Sequence, residues 1–505
     1  MLRYLGLSCF RCRCSIVGLR SIHQVPSRRR RLDLPPAAAK DPAAVWVLLN
    51  RYGIRTDDSF VADAKTVAYA RTDTGQKLRV SFGHAPPPAS SFFHYDFLEC
   101  TPGLEDIDDA EECEEDGDNT DECEEDGDTD DECEEEGDTD DECEEQEVDI
   151  DKLNITVVGA HRDWALMELT YPRSYDFEDH HFLYRAGEAA SPATLSRLPD
   201  RIFLTKAEQA YLSPPTHRRP DFEDTCLLRL GDNDMMLVEL GLMYDRDARR
   251  MEHRRKPSEF CLLRNGMSQW ELVEPVPIIR DEGGKDIEQL HTQCGRNTVI
   301  PLGDRFLCWV KYISGFLLCD MEDEESPKVR YVPLPPGVCW DPKGYERDMS
   351  IKHSKNMGAV GLSAVGFVSI DPRCCCGGTG KSTCSHSRYA FTINTWLMDI
   401  NSIKEPLTWV KDGEIDCEEL WRLPGYEGLP RANPMCPIVC LDNPDVVCFL
   451  VSNNAFVSSY EDRELWMCQL NIKTKLLSVV PYTDDRQGAY DHLPASLHSS
   501  AANTG

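Results

Sequence analysis

Four stretches of this chain repeat one design: paired short apolar runs, a turn, and a closing segment of apolar and branched residues, most often with proline. The closings are residues 270–277, 329–336, 407–411 and 477–481, and each follows β-type runs such as 306–310 and 315–320. A small antiparallel sheet of this kind cannot bury its faces alone and has to stack on neighbours like itself. The repeat therefore predicts an all-β fold, a propeller-like array of small antiparallel sheets. The closings lie 62, 77 and 70 residues apart, from Trp270 through Val332 and Trp409 to Val479, so the loops are long and the repeat is degenerate. Helical periodicity is scarce, and residues 418–423 could form one short turn.

Composition shifts divide the chain into five parts. Residues 1–43 are a basic leader and linker, and 44–103 carry the first strands, at 45–49, 78–82 and 92–97. Residues 104–152 are an acidic insert expected to be disordered. Residues 153–485 form the main propeller-like domain, opening with a hairpin from 155–158 and 164–169, followed by 181–187. Strand pairs then recur at 226–244, 259–276, 298–320, 329–334, 358–370, 389–399, 407–411, 438–452 and 465–481. Residues 486–505 end in small polar residues and are expected to be a disordered tail.

The formal net charge of −35 is a property of the insert rather than of the scaffold. Of the 89 acidic residues, 31 fall within 105–151, which has no Lys or Arg; the other 58 nearly balance the 54 basic ones. A near-neutral folded part lacks the basic stripe that nucleic-acid binding needs, so no nucleic-acid partner is expected. The cluster Arg249, Arg250, Arg254, Arg255 and Lys256 lies between two strand-like runs and reads as a solvated loop. The insert repeats with a period of ten through Cys113, Cys123, Cys133 and Cys143. Its density of like charge opposes collapse, which favours a solvated arm or a lure for a basic partner. A calcium loop framed on Gly127 would need an acidic residue where Cys133 stands, so a formed calcium site is not expected.

The 23 cysteines are odd in number and irregularly spaced, and Cys226, Cys261, Cys308, Cys319, Cys448 and Cys468 fall inside apolar runs. Reduced cysteine behaves there as a small hydrophobe, which implies a reducing, intracellular compartment. The leader carries Arg3, Arg11, Arg13, Arg20 and Arg28 to Arg31, with no acid before Asp33. It is similar to a mitochondrial transit peptide, and an unstructured basic tail fits it equally; the second reading leaves the cytoplasm or nucleus. No run of 18 apolar residues occurs, so no membrane span is expected.

Motifs with chemical content are few. Cys374, Cys376, Cys384 and His386, in a loop between two strand runs, are the only set with thiolate and imidazole donors for zinc, although adjacent cysteines rarely share one ion. Gly380-Lys381-Ser382 ends like a phosphate loop, but Cys375 stands where the first glycine belongs and a strand follows. His161-Arg162-Asp163 echoes a kinase catalytic loop, yet Glu168 occupies the required Asn position. His180-His181 reads as a surface turn before a strand. No catalytic residue and no cofactor emerge, zinc in the Cys/His loop excepted.

Residues 182–187 with 195–199, 226–229, and 315–320 with 330–335 together resemble the plant domain-of-unknown-function 1618 family, as do 347–351, 409–412, 418–421 and the opening at 46–49. The likeness covers most of 44–485 and is densest over about 300–425. The resemblance implies a family expanded in grasses, with strands patterned like the β-propellers that accompany F-box motifs, though no F-box-like helices precede the scaffold here. The expected function is a non-enzymatic protein-interaction scaffold whose loops bind a protein partner. The alternative is a metal-dependent or hydrolytic enzyme using the Cys/His loop or a central channel.

Overall fold

A computed structural model describes residues 46–56, 64–72, 75–98, 153–170, 180–187, 191–199, 224–231, 234–241, 258–276, 278–279, 298–312, 315–322, 327–338, 353–373, 390–400, 407–453, 464–482 and 491–497. The leader, the acidic insert, the basic cluster at 249–256 and the Cys/His loop lie outside them.

Among the described residues the chain forms six small sheets arranged as the blades of a propeller. Blade 1 opens with β1 (Val47–Asn50), β2 (Ile54–Arg55), β3 (Ala68–Arg71), β4 (Lys77–Gly83) and β5 (Ser90–Leu98). Blade 2 holds β6 (Asn154–His161), β7 (Trp164–Thr170), β8 (His180–Arg185) and β9 (Thr194–Arg197). Blade 3 holds β10 (Thr225–Arg229), β11 (Met235–Gly241), β12 (Ser258–Arg264) and β13 (Glu271–Val276). A short β14 (Ile278–Ile279) then joins the outer edge of blade 4, built from β15 (Thr298–Leu302), β16 (Phe306–Lys311), β17 (Gly315–Asp320) and β18 (Val329–Pro333). Blade 5 holds β19 (Lys355–Val360), β20 (Ala364–Pro372), β21 (Phe391–Asp399) and β22 (Val410–Asp416). A single helical turn, α1 (Cys417–Leu420), leads to blade 6: β23 (Met435–Val439), β24 (Val446–Ser452), β25 (Leu465–Asn471) and β26 (Leu476–Tyr482). The last strand, β27 (His492–Ala495), returns to blade 1.

The buried apolar residues form six clusters, one at each junction between adjacent blades. Strand β16 shows why the sequence reads as it does. Leu307 and Trp309 point into the cluster shared with blade 3, whereas Phe306, Cys308 and Val310 point into the one shared with blade 5. A strand buried on both faces needs an unbroken apolar run rather than an alternating one. The cysteines of these runs are packing residues: Cys226, Cys261, Cys308, Cys319, Cys448 and Cys468 are all buried and free.

The prolines of the closings also have a place. Pro275 and Pro481 lie on the outermost strands of blades 3 and 6, Pro333 lies on β18 beyond the two residues that β14 pairs, and Pro301, Pro437 and Pro494 lie on innermost strands. A residue without an N–H is tolerated on an edge, where one side of the ladder is unpaired. The closing expected at 407–411 runs instead as β22 from Val410 to Asp416. Trp409, just before it, donates its indole N–H to Pro333 O of blade 4 at 2.8 Å. Trp270, just before β13, makes the same bond to Pro199 O of blade 2 at 3.0 Å. Each tryptophan thus latches its blade to the exit of the preceding one.

Within the stretch 486–505, expected to be a disordered tail, the described residues 491–497 supply the strand that closes the ring. β27 pairs antiparallel with β1, Val47 opposite Ala495 and Asn50 opposite His492, so the two ends of the scaffold build one blade. Ala495 and Leu497 enter the core between blades 1 and 2. Four polar groups lock the seam. Asn50 donates its side-chain amide to the Tyr482 hydroxyl at 3.0 Å, His492 Nε2 and Ser90 Oγ lie 3.0 Å apart, and the His492 and Tyr482 rings meet edge to face with centroids 5.5 Å apart. Burial pushes the His492 imidazole down to about 4, against the opposing pull of Asp491, so the ring is neutral in the folded protein.

Two outcomes follow from the seam. Deleting residues 491–505 removes the inner strand of blade 1 and should cost several kcal/mol, read as a large fall in the midpoint of a circular-dichroism melt or loss of cooperative unfolding. Because the unfolded His492 takes a proton near pH 6.5 and the folded one only near 4, its contribution is full above pH 6.5 and is lost as pH falls toward 4. The loss amounts to about 3 kcal/mol. Denaturant unfolding of His492→Gln should show a correspondingly shallower decline of stability over that range than the parent chain.

Candidate functional site in the central channel

The innermost strands β27, β6, β10, β15, β19 and β23 pack side by side around the axis. They enclose a channel of about 470 Å³ lined by residues from all six blades. Its width depends on residues that contribute little or no side chain. The ladder of β6 with β7 shifts register between Val157 and Gly159, and a Cβ built on Gly159 would meet no atom within 4 Å. Ala160, Gly303, Ala359 and Gly361 line the same space.

One end of the channel is organised by Arg51. The chain leaving β1 runs along β6, with Val157 N donating to Arg51 O, Gly53 N to Ile155 O at 2.9 Å, and Tyr52 bridged to Thr156. This fixes the guanidinium, whose Nη1 donates to Val158 O at 2.7 Å and Val157 O at 3.1 Å, while Nε faces Asp491 Oδ1 at 3.3 Å. Arginine suits the place because its planar fork can reach two carbonyls and a carboxylate at once. Tyr312, Asn356 and His492 line the lumen as well.

The other end is spanned by the turn His161-Arg162-Asp163. Arg162 adopts a left-handed backbone, φ 57°, as a tight hairpin demands. Its guanidinium grips Asp304 of blade 4 with two bonds of 3.0 Å, crossing blade 3. His161 Nδ1 accepts from Arg229 N at 2.9 Å, which leaves its proton on Nε2, 4.0 Å from Asp304. Burial lowers the His161 imidazole to about 4 although Asp304 pulls the other way. Asp163 sits between Arg185 Nε at 3.2 Å and Arg229 Nη1 at 3.1 Å. The triplet that echoes a kinase loop is therefore a brace tying blades 2, 3 and 4 together.

The remaining reactive groups are occupied by packing. Burial raises the thiols of Cys226, Cys308, Cys448 and Cys468, and that of Cys319 to about 12, so they stay protonated. Ser90 and His492 have the spacing of a hydroxyl and its base, but His492 Nδ1 is buried without a hydrogen-bond partner, so no carboxylate orients the ring. His180 and His181 are not a surface turn: both are buried in β8, where His181 Nε2 faces Glu168 Oε1 of β7 at 3.9 Å. Pairing with Glu168 across the ladder draws that polar dipeptide inside. Cys374, Cys376, Cys384 and His386 lie outside the described residues, and among those described no group of three His, Cys, Asp or Glu side chains is placed to hold a metal. Sequence reasoning missed Arg51, Gly159, Asp304 and Asp491; none stands in a motif, and Arg51 meets Asp491 only when the ring closes.

No curated protein matches this chain. Among solved structures, the WD40 domain of SCAP from fission yeast is 10% identical with a TM-score of 0.27, over 65% of this chain and 63% of that one. The phage phi92 endosialidase is 11% identical with a TM-score of 0.25, over 66% of this chain and 56% of that one. The chain thus spans less than two thirds of the length of either structure. The family model that matches covers residues 309–448, from β16 of blade 4 to β24 of blade 6. Over those residues the chain is similar to the DUF1618 family, described as a protein of unknown function.

Proposed function

We propose that this protein is a non-enzymatic interaction scaffold that binds a protein partner through the turns around one mouth of its channel. The observation that carries this reading is Leu362. It sits in the turn between β19 and β20, 64% exposed, at the channel rim. The turn is held: Gly361 has φ 62° and donates its N–H to Leu441 O of blade 6 at 2.7 Å. Gly303 of blade 4 packs so closely that a Cβ there would lie 2.6 Å from Leu362 O. An apolar side chain on a rigid turn, with charged Arg162 and Asp442 on the same rim, needs little ordering on binding and suits an interface anchor.

The acidic arm at 104–152 joins the scaffold between β5 and β6 and would accelerate encounter with a basic partner without fixing the docked geometry. The nine free, buried cysteines among the described residues support a reducing compartment, whether cytoplasm, nucleus or, if the leader is a transit peptide, mitochondrion. No helix of the described residues is long and apolar enough to cross a membrane. The enzyme alternative rests on Cys374, Cys376, Cys384 and His386, and no observation on the described residues favours it.

Quantitative affinity purification from native tissue tests the reading with three chains: the parent, Leu362→Asp, and one lacking residues 104–147. Leu362→Asp should fold normally, being an exposed substitution, and should weaken retention of a saturable partner about tenfold or more. The arm deletion should keep that partner while slowing its association at low salt. Undiminished retention by Leu362→Asp, or loss of every partner with the arm, would overturn the assignment to the rim.

A further inference from the structure

We infer that the central channel is a binding site for an uncharged, largely apolar organic molecule carrying a hydrogen-bond acceptor for Arg51. This goes beyond the scaffold reading, which concerns the rim, and stands on separate observations.

The first is space. A lumen of about 470 Å³ falls within the range of small-molecule sites, about 300–1,000 Å³. That space follows from residue choice: Gly159 stands where a side chain would meet nothing, and Ala160, Ala359 and Gly361 add no bulk. An inner strand with no ligand to admit could carry a larger side chain at 159 and gain packing from it.

The second is an unspent donor. Arg51 is largely buried, with 15% side-chain exposure. Its Nη1 is used twice on β6, and its Nε faces Asp491. Among the described residues Nη2 has no hydrogen-bond partner, although it is not among the atoms sealed from solvent, so it is the nitrogen left to address the lumen. A guanidinium held this rigidly binds an acceptor with little further loss of side-chain freedom.

The third is charge. Arg51 is matched by Asp491, and Arg162 by Asp304. Asp442 accepts from Cys440 Sγ at 2.7 Å. Neutral His161 and His492 add no charge. An anion would face Asp442 and Asp491, a cation would face Arg51 and Arg162, and neither finds an uncompensated partner. The walls otherwise come from residues such as Leu227, Val299, Ile300, Met357 and Ile438. An uncharged molecule with a carbonyl or hydroxyl for Nη2 fits this balance best.

The test uses the full chain and Nile red, an uncharged dye with a carbonyl whose emission shifts to the blue in apolar surroundings, with anionic anilinonaphthalene sulfonate as the charged comparison. The parent chain should bind one Nile red saturably with a blue shift and take up the anionic dye much less tightly. Gly159→Phe should fill the lumen and weaken Nile red about tenfold or more with an unchanged melting midpoint, whereas Gly159→Ala should leave binding intact. Should the Phe variant fail to fold, Gly159→Leu serves as the plug, with the same expectation. No saturable Nile red binding by the parent would mean a water-filled channel only and overturn the inference. Equal affinity in the parent and the folded plug variant, or preference for the anionic dye, would overturn it too.

Discussion

Every blade of this protein is apolar on both faces, and that one constraint organises the molecule. A sheet with two greasy faces needs a neighbour on each side, and a row of such sheets always leaves two faces bare unless it bends round and meets itself. The six clusters between blades are the outcome: each strand of blade 4, for example, contributes alternately to two of them. Aromatic pairs sharpen the fit where large side chains meet, as with Phe260 of blade 3 stacked on Trp309 of blade 4 at 5.5 Å. Closure is thus a condition of burial rather than an addition to it. Without β27, the core between blades 1 and 2 would lose Ala495 and Leu493, and Tyr482 of the core between blades 6 and 1 would lose its ring contact with His492.

The seam that satisfies this condition is polar where the blades are apolar. Asn50, Tyr482, His492 and Ser90 come from β1, β26, β27 and β5, and the bonded pair Asn50 and Tyr482 is separated by 432 residues in the chain. Directional bonds among buried groups cannot be satisfied by a slipped pairing, so they fix the register of a four-residue strand that has little apolar area of its own. His492 carries the matching liability. A ring kept neutral by burial makes the folded seam less stable in acid.

How much of this could be read from the sequence depends on where the stabilising contacts lie. Runs such as 306–310 and 315–320 were legible because a strand buried on both faces writes its environment into consecutive residues. The closing prolines were legible as a pattern, and the structure supplies their reason, an edge position. β27 was illegible: His-Leu-Pro-Ala has no period, sits near a polar end, and becomes a strand only because Val47 to Asn50 wait for a partner. The shift of the third closing from 407–411 to Val410–Asp416 has the same origin, since Trp409 is spent on a latch to Pro333 rather than on a ladder. His180 and His181 misled because polarity suggested the surface while the ladder opposite Glu168 holds them inside. The channel residues Arg51, Asp304 and Asp491 carry no local signal at all, because their meaning is set by contacts two or more blades apart or by the meeting of the chain's two ends.

The same geometry separates two kinds of surface. At the rim, turns between first and second strands are free to vary without disturbing the cores, so an exposed residue such as Leu362 costs the fold little and can be chosen for a partner. Inside the channel, side chains stand on strands whose other contacts are fixed, and Arg51 could not move without releasing Val157 and Val158 as well as Asp491. Groups there are rigid because the ring is closed, which is the condition for recognising a small molecule by a few directed contacts. The held rim turn presents one apolar anchor outward, whereas a lumen with paired charges would select by shape and by one donor. The two surfaces can therefore serve different ligands on one scaffold, and coupling between them would run through the turn at His161 and Arg162, which lines the lumen with one residue and braces the rim with the next.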